Sequence, residues 1–273
     1  MSIPAAAETP GIVVNAIPQD AAKLKHEVAG FIRTVTQLTE VDQYARRAKP
    51  FCPVVLNIDP QYTASVLDKV RRAAAATGTL TEARPGCEPN LAIIFSNDGD
   101  SLVRAMSMRQ PLLFAGLTIA KRRELFDSGR AVRWWYGTGT EGADGDKVDE
   151  EGNLKVWHAS LVSTGVRFNL SATVVVVDIT RAEGYPLDAI ASYAAMVAFA
   201  QIKGTDGGLA GLPSVLGMFA RTGARSNAQP DLTVWDRAYL HGLYHIAPDR
   251  PAWQQRSALA GAMIAAAQTS PEP

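Results

Sequence analysis

Cysteine and histidine are scarce in this chain. Among 273 residues there are 2 Cys and 4 His. That is too few for a disulfide-dense scaffold, and two cysteines alone cannot complete a structural zinc site. An excess of charge is missing too. Lys plus Arg number 27 and Asp plus Glu number 27, so the chain lacks the basic footprint that drives phosphate-backbone binding and is read as having no nucleic-acid partner. The longest basic run is Lys121-Arg122-Arg123, which reads as one exposed helix face, not a polybasic membrane anchor. Long apolar runs are absent. Ala172 to Val177 is too short to span a bilayer, and Leu187 to Ile202 is interrupted by Asp188 and Ser192, as in a buried core helix.

Several catalytic signatures are missing as well. Ser214 sits in Leu212-Pro213-Ser214-Val215 without the glycines of a nucleophile elbow, and no GxxxxGK phosphate loop occurs. The N-terminal Met1-Ser2-Ile3-Pro4 has no basic or apolar leader region, although Ala5-Ala6-Ala7 is similar to the small-residue remnant beside a cleavage site. An exported mature chain and a cytoplasmic chain with a loose N-terminus are the two readings.

What is present is a globular composition, 47% hydrophobic and 20% charged, long enough for a sizeable core. Cys52 precedes the apolar run Val54-Val55-Leu56-Asn57-Ile58, and Cys87 precedes Leu91-Ala92-Ile93-Ile94-Phe95. Both runs read as buried strands. Between them Asp59 is a fitting N-cap, Pro60 a first helical residue and Gly78 a terminator. Strand, helix, strand makes a parallel crossover, with both cysteines at the same edge of the sheet. We expect a disulfide there, worth on the order of 4 kcal/mol in the chain-entropy model. The alternative is two separate buried thiols.

Residues 1–18 read as a flexible N-terminus with a short first strand at Ile12-Val13-Val14, and 19–268 as one globular domain. The expected fold class is α/β (α+β), a single mixed sheet with a central buried helix. A helix is predicted over 19–34, another from about Asp100 to Met108, and one opened by Thr118. Val132 to Tyr136 reads as a strand and Gly137 to Asn153 as an exposed loop. Val156-Trp157-His158, Val166-Arg167-Phe168 and Ala172 to Asp178 read as strands, the last of them central. A short helix is expected at Ser214 to Phe219. Thr233 and Asp236 form a capping-box pair, and the chain ends in an Ala-rich helix from about Ala252 to Ala267.

Three motifs invite chemistry. Gly137-Thr-Gly139-Thr-Glu-Gly142 matches GxGxxG, but the acidic stretch after it repels phosphate. Asp144, Asp146, Asp149, Glu150 and Glu151 offer hard oxygen ligands, but at a spacing unlike a calcium loop, so a solvated hairpin loop is expected. His241 and His245 lie one helical turn apart, as paired zinc ligands do, with no glutamate base between them. They are weak metal candidates. No cofactor, metal or catalytic residue is assigned.

Leu232-Thr233, Asp236 and Leu243-Tyr244, following the strand ending in Asp178, resemble the late helix of a zincin-type (metzincin-like) metalloprotease. There a central strand precedes a helix bearing HExxH. Here that position falls near Ala191-Ser192-Tyr193-Ala194-Ala195, with no ligand or base. Over residues 50–246 the chain also resembles an uncharacterised group of proteobacterial exported proteins, sharing Cys52-Pro53, Gly86-Cys87-Glu88-Pro89-Asn90 and Tyr193-Ala194-Ala195-Met196. The resemblance implies a periplasmic or secreted non-catalytic binding or scaffold protein, a pseudoenzyme on a zincin-like fold. Its expected partner is a protein, a peptide or an envelope component. Trp134, Trp135 and Tyr136, with the loop after them, are the expected contact surface. The alternative is a hydrolase whose site draws on Asp178, Asp188, Ser192 and His241.

Overall fold

The computed structural model describes residues 21–38, 43–126, 129–143, 145, 163–203, 211, 213–221 and 224–269. The short strand read at 12–14, the strand read at 156–158 and the acidic group from 144 and 146–151 lie outside the described residues. The expected boundary near residue 18 does as well.

The chain opens with helix α1, Ala21–Val35. Its apolar residues Leu24, Val28, Phe31, Ile32 and Val35 recur at helical spacing and are all buried. Strand β1 covers Pro53–Leu56 and strand β2 covers Leu91–Ser96, joined by helix α2, Pro60–Thr77. The local signals work as their chemistry requires. Asp59 accepts a hydrogen bond from the Gln61 amide, Pro60 occupies the first turn, and Gly78 closes the helix with φ 75°. β1 and β2 pair in parallel, and Cys52–Cys87 is a disulfide with its Cα atoms 6.1 Å apart.

Helices α3, Gly99–Arg109, and α4, Ile119–Phe126, follow, joined through a tight 3-10 turn at Pro111–Phe114. Then come the two long strands β3, Val132–Gly142, and β4, Val166–Asp178. The sheet order is β1-β2-β4-β3, with β4 parallel to β2 and antiparallel to β3. The mixed α/β sheet is therefore as expected. Its strands are longer than the sequence suggests. Gly137 to Gly142, at the start of the expected loop, and Asn169-Leu170-Ser171, between two expected strands, both belong to the hairpin. Ladder partners on the neighbouring strand override the weak strand propensity of glycine and asparagine.

Strand alternation sorts the core into two layers. Ile93, Phe95, Trp134, Val175 and Val177 lie in the larger layer, with α1, α2 and the helices that follow β4; Ile94, Trp135, Val174 and Val176 face α3 and α4. Helix α5, Leu187–Phe199, is the central element of the larger layer, with every residue from Ala189 to Phe199 buried. Helix α6, Val234–His245, opens with the expected capping box between Thr233 and Asp236. Helix α7, Ala252–Thr269, packs on α6 where Gly242 allows close approach; a Cβ there would sit 2.7 Å from Leu259 Cδ1. No described helix is long and apolar enough to cross a membrane.

Candidate functional site

In open α/β sheets, ligands gather at the carboxyl edge of the parallel strands. Here that edge carries Asp178, the last residue of β4, paired in register with Ser96 of β2. The Asp178 carboxylate is buried. It accepts hydrogen bonds from the Gly99 amide at 3.0 Å, from the Arg181 amide at 3.0 Å and from the Arg181 guanidinium at 2.5 Å. Arg133 Nη1 lies 3.8 Å away. Arg133 and Arg181 both also bond Asp100. Two guanidiniums thus face two carboxylates around the start of α3, whose amide end favours negative charge. Gly99 is required: a Cβ would meet Arg133 Nη1 at 2.3 Å. Burial draws the Arg133 pKa down and the neighbouring carboxylates pull it back; the Asp100 hydrogen bond raises that of Arg181. The cluster ties three elements together and holds the Asp178 carboxylate buried among amide and guanidinium donors.

The other residues of the hydrolase alternative do not join it. Ser192, buried in α5, donates its hydroxyl to the Pro230 carbonyl at 2.8 Å. Asp188, one turn earlier, accepts from Ser65 at 2.9 Å and pairs with Lys69, which also holds Asp231 at 2.7 Å. His241 and His245 sit on α6 against the C-terminal end of α2, where a Gly78 Cβ would lie 2.9 Å from His245 Cε1 and 3.5 Å from His241 Nδ1. The amino end of α2 follows β1 at the Asp178 edge of the sheet. The 18-residue length of α2, about 27 Å at the helical rise, therefore separates the histidines from Asp178. The imidazoles stack at 3.9 Å, and no third His, Cys, Asp or Glu joins them among the described residues. Desolvation, then the charge of His245, lowers the His241 pKa.

The expected aromatic contact surface is corrected. Trp134 and Trp135 are buried on opposite faces of β3, and Trp135 stacks on Phe114 at 4.8 Å. The Tyr136 hydroxyl lies between the Val197 and Ala200 carbonyls, to which it is hydrogen-bonded, and accepts from the Ile202 amide. Strand residues flanked by helices on both faces have no outward side, so an aromatic run in such a strand is core. The GxGxxG glycines lie in the β3–β4 ladder and do not open a helix.

An open cleft of about 210 Å3 is lined by Tyr185, just before α5, and by Ser214, Met218, Arg221, Arg225 and Asn227 after it. Arg225 lies 5.3 Å above the Tyr185 ring and donates to the Glu183 carbonyl. Ser214 donates to the buried Asp236 carboxylate at 2.5 Å. Burial raises the Asp236 pKa, and hydrogen bonds from Ser214, Val215 and Thr233 offset that only in part. With its proton bonded to a capping carboxylate and no histidine beside it among the described residues, Ser214 is a helix-positioning residue in a polar, cationic cleft.

Sequence reasoning singled out Asp178 but missed its partners Asp100, Arg133 and Arg181. One signal was available: Arg133 interrupts an otherwise apolar strand, and a guanidinium there needs a carboxylate partner. No known family model, no curated protein and no solved structure matches this chain.

Proposed function

We propose that this chain is a non-catalytic exported binding or scaffold protein built on a metalloprotease-like frame. The observation that carries the reading is α5. It follows the central strand, where the zincin resemblance expects a metal-gripping helix, and it presents Ala191, Ser192, Tyr193, Ala194 and Ala195, all buried, with no imidazole or carboxylate among them. The capped α6 then follows in the order that resemblance implies. The alternative hydrolase constellation is supported less well, because Asp178, Ser192 and His241 are each engaged in different places. The Cys52–Cys87 bond supports export, since such bonds persist in oxidising compartments.

The test is metal analysis of the purified chain with a protease and esterase screen. The expected result is no stoichiometric zinc and no turnover above background. Zinc that is lost on His241→Ala, or hydrolysis abolished by Ser192→Ala, overturns the reading.

A further inference from the structure

The connection between α3 and α4 carries an unusual surface. Among the described residues, the three most exposed large apolar side chains are Leu112 at 87%, Ile119 at 80% and Met108 at 77%, and Leu113 lies beside them. All four fall within twelve residues. Exposed apolar groups concentrated in this way mark an interaction site.

The tip is held rigidly from below. Phe114 is buried and stacked on Trp135. Arg122 donates to the Phe114 carbonyl at 2.8 Å. Backbone bonds from Leu113 to Gln110, Ala115 to Leu112 and Leu117 to Phe114 close the turn. With Phe114 as the anchor, Leu112 and Leu113 are left outside the core.

The charge on the connection itself is basic, and the nearest described carboxylate, Glu124 on α4, is paired with Lys121 and Arg130. Residues 101–123 contain Arg104, Arg109, Lys121, Arg122 and Arg123 and no Asp or Glu. Arg109 and Arg123 are exposed and form no ion pair with the described residues. The zero net charge of the whole chain conceals this local excess.

We propose that the α3–α4 tip docks on an anionic lipid bilayer surface, with Met108, Leu112, Leu113 and Ile119 entering the headgroup–acyl boundary and Arg109 and Arg123 meeting lipid phosphates. This rests on the binding-protein reading and names its partner. Exposed aliphatic side chains beside the exposed Arg109 and Arg123 match a soft anionic apolar boundary. A protein partner is matched less well, because interface cores favour the tyrosine and tryptophan that this tip lacks.

The experiment is co-sedimentation of the full chain with vesicles of phosphatidylcholine, with and without phosphatidylglycerol. Wild type is expected to bind the phosphatidylglycerol vesicles and to be released by high salt. The Leu112→Glu/Ile119→Glu variant, altered only at exposed positions, should lose binding while its thermal unfolding stays unchanged. The Arg109→Gln/Arg123→Gln variant should bind roughly thirtyfold more weakly, at about fivefold per charge. Absence of vesicle binding, equal binding to phosphatidylcholine alone, or unaltered binding by the Glu variant each overturns the proposal. So does a solution dimer that the Glu variant disperses, which would place a second copy of the chain on this tip. None of these results bears on zinc or turnover, so the underlying reading stands or falls separately.

Discussion

Removing the Cys52–Cys87 bond isolates the stabilisation that comes from constraining the unfolded chain. The bond spans 35 residues and encloses β1 and all of α2, closing just before β2. For that loop the chain-entropy relation gives about 4 kcal/mol at 25 °C, a large share of the roughly 5–15 kcal/mol that holds a typical domain folded. The native geometry at the bond does not depend on it. The Cys52 carbonyl accepts from the Asn90 and Leu91 amides, and the Cys52 amide donates to Asn90 Oδ1 at 2.9 Å. Phe51 donates to Thr81 and accepts from Ala83. The folded state of Cys52→Ala/Cys87→Ala should therefore remain intact. Denaturant unfolding followed by tryptophan fluorescence should show a loss of about 4 kcal/mol, with a steeper denaturant dependence because the open chain exposes more surface. Wild type unfolded in reducing agent serves as a second arm without any packing change. A loss below about 1 kcal/mol in that arm would refute the argument, since it would mean the unfolded chain gains little freedom when the loop opens.

Two further outcomes follow from buried charge and from histidine. Asp178→Ala strands the buried Arg133 with Asp100 as its remaining carboxylate partner, and should cost about 3–5 kcal/mol by chemical denaturation. Adding Arg133→Met should recover part of that loss, because the uncompensated charge is then gone; no recovery would show that packing, not charge, sets the cost. His241 should titrate by NMR below the ordinary histidine value of about 6.5, because desolvation and then His245 disfavour its cation. Its folded pKa is depressed, so its contribution to stability is present above the unfolded value and is lost as pH falls through the folded one. His241→Gln should flatten that acid limb.

Much of the frame was legible because it is written in local chemistry. Asp59, Pro60 and Gly78 delimit α2 through a side-chain cap, a fixed φ and a left-handed closing residue. The apolar spacing of α1, the continuous apolar content of α5 and the Thr233–Asp236 capping box identify their helices without knowledge of any partner. The cysteine positions before β1 and β2 indicated the bond, because a parallel crossover returns both strand starts to one edge.

What the sequence determined by itself was therefore where the chain caps, turns and buries a helical face, since those choices depend on neighbours a few residues away. Only the tertiary structure decided that glycine-rich 137–142 extends β3, that Trp134 and Trp135 are core, and that Asp178 is neutralised by Arg133 and Arg181. It also decided which apolar residues stay in water at 108–119. Ladder pairing, two-sided burial and charge compensation all join residues far apart in the chain. Local propensity carries no information about which distant residues will meet.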